Sequence, residues 1–287
     1  MMPLWAARGA TARGIRDRVW TPAPHAGTNT AMRHSFALPR LTAVLCTLGL
    51  CLTSAAYARD IPGQRVQVSA PCLNSLHIVT DKTLSGRVDV GGIWPLGLQS
   101  TTAEDGTITL TQVGCPTGQN LELHMPSAMP LAIDSPQATR IVIDDRSGPM
   151  SIQSGSGAID LGRTGPVDLA SDSTGPISIG TLAGSARLRS TVSAPITIHQ
   201  ANAPALAVYL AGTASLTVPS GTLRALDINN TGKGQASFGG TTGVAALHVQ
   251  GAGGISVYKA TGTIATERDG KGRIDVNLPS VPPAQQN

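Results

Sequence analysis

The chain has 287 residues, enough for one large domain or two small ones, and carries a formal net charge of +4. Six of its 21 Lys and Arg (Arg8, Arg13, Arg16, Arg18, Arg33 and Arg40) precede residue 59, as does the acid Asp17, which leaves 15 bases against 16 acids in the remainder. The basic balance belongs to the N-terminal segment, so it does not point to a nucleic-acid partner or to an anionic membrane surface.

Residues 1–31 hold neither an apolar run nor a twin-arginine pair and read as a dispensable extension or a mis-assigned start. From Met32 the chain runs MRHSFALPRLTAVLCTLGLCLTSAAYARD. Arg33 and Arg40 form a positive region, Leu41 to Ala56 an apolar one, and Ala56-Tyr57-Ala58 the small-x-small pattern that signal peptidase reads. This predicts a signal peptide over 32–58, cut between Ala58 and Arg59, and a periplasmic or secreted product. The apolar stretch is shorter than the roughly 20 residues of a spanning helix, so no membrane span is expected in the mature chain. Leu50, just before Cys51, is too bulky for lipoprotein processing. Cys46 and Cys51 leave with the leader, whereas Cys72 and Cys115 remain, and an exported pair with no histidine nearby most simply forms one disulfide.

Over 59–146 the segments RVQVSA, SLHIVT, GRVDV, TITLTQV, NLELHM, PLAID and TRIVID mostly alternate apolar and polar with period two, which predicts an N-terminal region of short, half-buried strands. Asp105-Gly106, before TITLTQV, suits a tight hairpin turn. No stretch has a helical period, so the mature chain reads as all-β.

Over 147–277 one short word recurs: an apolar-x-apolar triplet, usually entered through Gly or Gly-Pro, as in GPMSI, GAIDL, GPVDL, GPISI and APITI. LASDSTGPISI (169–179) and LRSTVSAPITI (188–198) match in register at a distance of 19 residues, so two words make one unit. An antiparallel sandwich has no reason to repeat in that way, whereas a coil stacked on the next coil repeats its environment. The prediction is a parallel β-solenoid of about seven two-strand coils, with Ile177 against Ile196, Ser178 against Thr197, and Gly175 supplying the corner's backbone angles. A thin interior suits the scarcity of aromatics, and residues 278–287 read as a flexible tail.

His77, His124, His199 and His248 are scattered singly, and neither a close metal-binding pair nor a complete nucleotide, nucleophile or cofactor motif is present. No cofactor is expected. Stacking two words per coil puts Ser151, Asp168, Arg187, Ala207, Asp227, His248 and Ala265 in one outward row, and Asp160, Ser178, Thr197, Thr217, Ser237, Ser256 and Asp275 in another. Asp168 with Arg187, and Asp227 with His248, are thus candidate surface pairs. Solvated ion pairs are their bland explanation. A polysaccharide-cleaving β-helix would need clustered carboxylates or a Lys/Arg base in a groove lined by sugar-stacking aromatics, and the aromatics are missing here.

NLELHMPSAMPLAIDS, followed by Ser-rich turns into GPISI and APITI, resembles the bacterial DUF4097/DUF2807 group, the adhesin-head GIN-domain proteins, over about residues 64–277. The resemblance implies an envelope-associated β-solenoid with no catalytic residues to carry over. This chain departs from the group by placing Pro where Asp is common, at Pro176 and Pro195. The resulting expectation is a non-enzymatic adhesin-like or scaffolding surface whose partner is an envelope component or glycan. A carbohydrate-active β-helix enzyme and a small periplasmic binding module are the alternatives.

Overall fold

Alternation of period two decides which side chains this backbone hides. The computed structural model describes residues 59–135 and 139–277, and among them there are strands and turns but no helix. The extension, the expected signal peptide with Ala58, and the tail 278–287 lie outside the described residues. Nine strands fill the first region: β1 (Arg59–Pro62), β2 (Arg65–Ser69), β3 (Ser75–Thr80), β4 (Arg87–Gly91), β5 (Leu98–Thr102), β6 (Thr107–Gln112), β7 (Asn120–Met125), β8 (Leu131–Ser135) and β9 (Arg140–Ile143). Twelve follow: β10 (Met150–Ser154), β11 (Ile159–Thr164), β12 (Val167–Ser171), β13 (Ile177–Leu182), β14 (Ala186–Ser190), β15 (Pro195–Leu210), β16 (Ser215–Val218), β17 (Gly221–Asn230), β18 (Ala236–Val249), β19 (Ile255–Ala260), β20 (Ile264–Arg268) and β21 (Ile274–Val276).

From β10 onward the chain makes about seven coils of two strands, each paired in parallel with the coil before it. Ile177 lies across from Ile196, and Ser178 across from Thr197. Both isoleucines are buried, as are Ile179 and Ile198, so four large aliphatic side chains from one recurrence meet inside. Burying each of them contributes roughly 1.5–3 kcal/mol. The outward row through Ser178 and Thr197 continues, as the sequence predicts, from Asp160 to Asp275. Long strands β15, β17 and β18 turn a corner of the coil without breaking, so in β15 and β18 pairs of words form single bent strands.

The ladder crosses residue 147 without a break, because β8 and β9 pair in parallel with β10 and β11. Coil order then departs from chain order. β2 and β3 make one coil, the next coil in sequence (β6 and β7) stacks on its outer side, and β8 and β9 stack on its inner side. Antiparallel strands close this end, with β5 on β6 and β4 followed by β1 on β7. Asp105-Gly106 does sit in the β5–β6 hairpin, with Gly106 at φ +74 and its N–H donating to Ala103.

Gly175 serves the corner differently from the expectation. Its φ is not positive; instead a Cβ at that position would lie 2.2 Å from the carbonyl oxygen of Gly157 in the preceding coil. Space between stacked backbones selects glycine there. The same is true of Gly253 and Gly272, where a Cβ would come within 1.9 and 1.8 Å of the carbonyl oxygens of Gly234 and Gly253 respectively.

Candidate functional site

The antiparallel end carries a cleft lined by both apolar and charged side chains. The β4–β5 connection reads Gly92-Ile93-Trp94-Pro95-Leu96-Gly97, with both glycines at positive φ (+70 and +74) to reverse the chain around the proline. It lies along the β6–β7 connection: Val113 N–H donates to Gly97 O at 2.8 Å, and Leu96 N–H to Gln119 Oε1 at 2.9 Å. That second connection is tied to the β2–β3 turn by the Cys72–Cys115 disulfide, whose Cα atoms are 5.2 Å apart. Trp94 is held by its indole N–H on Leu98 O (2.8 Å) and by the Arg59 guanidinium, 4.4 Å from the ring centroid. Two loops that cannot tuck their apolar residues under a strand therefore present Ile93, Leu96 and Val113 at 90, 66 and 57% exposure.

Behind this apolar lip is a cleft of about 730 Å³. Its polar wall comes from outward positions of adjacent strands, since Glu122 of β7 is the register partner of His77 of β3. His77 Nδ1 lies 3.7 Å from Glu122 Oε2, and its Nε2 lies 3.3 Å from Asp144 Oδ1. Glu122 Oε1 is in turn 2.8 Å from His124 Nε2. These side chains are partly exposed, so their mutual attraction is worth about 0–1 kcal/mol. The arrangement offers an apolar surface beside a strip of hydrogen-bonding groups, which suits binding a ligand that has both characters.

Other candidates from the sequence fall elsewhere. Asp168 and Arg187 are register neighbours and line a hollow of about 420 Å³, but they form no ion pair. Asp227 does not meet His248, because its neighbour in the next coil is Ala246. The slip has a physical cause: Val244 to Val249 puts apolar residues on both sides of the strand, so alternation alone does not set its register. His248 instead faces Glu267 in register and lies 3.0 Å from Asp269 Oδ2 and 3.9 Å from Glu267 Oε2. Among the described residues this is the trio whose ligand atoms gather closely enough to hold a metal ion, and both carboxylates are exposed. Sequence reasoning missed it because its members are about one coil apart. It also missed the cap, for which GGIWPLG was the available signal: large apolar residues inside a turn-forming run.

No family model and no curated protein matches the chain. Solved structures do resemble it. A candidate adhesin from Parabacteroides merdae aligns with a TM-score of 0.55 at 12% identity, covering 76% of this chain and 95% of that one. A candidate lipid-binding protein from Parabacteroides distasonis aligns with a TM-score of 0.51 at 14% identity, over the same shares of the two chains. The chain has the fold of these proteins.

Proposed function

We propose that this is an exported, non-enzymatic β-solenoid of the cell envelope, within the GIN-domain group, which acts as an adhesin-like or scaffolding surface through its capped end. The observation that carries this reading is the cleft lined by the exposed Ile93 and Leu96, with exposed Val113 on the adjoining loop, because clustered large apolar residues on a protein surface mark a contact site. Export is supported by the signal pattern at 32–58 and by a disulfide of the kind that persists in oxidising compartments. Among the described residues no helix is long and apolar enough to cross a membrane. The adhesin name borne by one structural neighbour fits this reading.

A glycan array combined with a polysaccharide-depolymerisation screen tests it. Binding without turnover is the expected result, and turnover of any polymer favours the β-helix enzyme instead. A second reading rests on Ile93 and Leu96, which stand out as insertion residues do, and on the lipid-binding name of the other neighbour. Co-sedimentation with liposomes, lost on Ile93→Ser, is the result that would favour it.

A further inference from the structure

Arg146, between β9 and β10, is only 2% exposed. Its Nη2 donates to the Met129 carbonyl, but Nε and Nη1 are buried with no partner, and no carboxylate pairs with it among the described residues. Desolvation pushes its pKa down to about 10, so it still carries its charge at neutral pH. Leaving a charge buried and uncompensated is strongly unfavourable, and exchange for an apolar residue of similar volume is often neutral or stabilising. Its surroundings supply a reason to keep it. Arg146 lines a cavity of about 490 Å³ together with the exposed Lys82 and Arg163, neither of which makes an ion pair among the described residues. Hydroxyl groups of Ser127 and Ser147, 3.4 Å apart, lie in the same wall. The cavity's one acid, Asp145, whose Oδ1 accepts the Arg163 backbone N–H at 2.7 Å, is outnumbered there by the three bases Lys82, Arg146 and Arg163.

We propose that this cavity is an oxyanion-binding site, with Arg146 as its buried anchor and Lys82 and Arg163 at its mouth, for the phosphate, sulfate or carboxylate group of a free anion or an acidic glycan. The Arg163 guanidinium matches such groups in geometry, and the unpaired charge of Arg146 in the wall adds to the attraction. The site goes beyond the proposed cap contact and uses none of its residues, so either can fail alone.

The test is thermal unfolding of the full exported chain, disulfide intact, with inorganic phosphate, inorganic sulfate, oligogalacturonate or a neutral oligosaccharide of equal length, against chloride at matched ionic strength. Saturating anion should raise the melting temperature by roughly 5–10 °C. Arg146→Met should fold and show no anion-dependent rise. Lys82→Gln with Arg163→Gln changes exposed residues and should weaken binding about tenfold or more while leaving the anion-free melting temperature in place; this pair decides the matter if Arg146→Met does not fold. A rise with inorganic anions alone identifies a free anion as the ligand, and a larger rise with oligogalacturonate identifies a polymer-borne group. No rise with any anion, or a rise undiminished in the variants, overturns the site.

Discussion

Asn230 shows how a single polar side chain can be held inside so thin a core. Wholly buried, it donates from Nδ2 to Gly234 O (2.8 Å) and Gly254 O (3.3 Å), and accepts from the Gly232 N–H (3.1 Å). It thereby fixes its own turn to the turn of a neighbouring coil. Asn230→Ala would take the partner from the Gly232 N–H and the Gly234 carbonyl, at a cost of roughly 1–3 kcal/mol for each one stranded, whereas Gly254 O keeps the Ala236 N–H at 2.9 Å. The expected outcome is a clear fall in the denaturant midpoint with an unchanged m-value, and an unshifted midpoint would contradict the role given to Asn230. Residues of this kind were the least legible in the sequence. Period-two alternation marks an inward position but assigns it an apolar side chain by default, so Asn230 could be seen only once the coils were stacked, and Arg146, in the β9–β10 connection, lies outside any alternating strand. Gly175 was identified for the right place and the wrong reason, because a clash with the next backbone is invisible in one strand.

Strand pairing follows the sequence most closely where the word is cleanest. LASDSTGPISI and LRSTVSAPITI place Ile177 on Ile196, since inward positions in both are aliphatic and outward positions polar. Ile177→Asp should therefore unfold the chain, because the carboxylate enters an apolar interior with no partner. Ser178→Asp faces water and should change stability by less than about 0.5 kcal/mol. Circular dichroism on both variants checks the contrast, and a folded Ile177→Asp protein would count against the inward assignment. Legibility was lost at Val244–Val249, where small apolar residues sit on both faces and the register was misplaced by two. It was lost too at β2 to β9, whose strands apart from β5 were found individually while their stacking out of chain order left no repeat to detect.

The two ends of the molecule are built differently. One is closed by β1, β4 and β5 in antiparallel pairing, and there Cys72–Cys115 ties adjacent coils together across a sequence separation of 43. Closing a loop of that length contributes about 4 kcal/mol in the chain-entropy account, so Cys72→Ser with Cys115→Ser should lower stability by up to that amount in chemical denaturation. At the other end β20 places Thr266 and Arg268 in register with the inward Leu247 and Val249. A charge at an inward position of an edge strand discourages further stacking, whereas among the described residues the capped end presents the most exposed large apolar side chains, Ile93, Leu96 and Val113. The central claim, that the molecule works by binding through that end, is tested most directly by sedimentation of the purified chain, disulfide intact, with isolated cell envelopes. Native protein should co-sediment, and Ile93→Ser with Leu96→Ser should lose at least tenfold in affinity at an unchanged melting temperature. Equal sedimentation of the two proteins would contradict the claim.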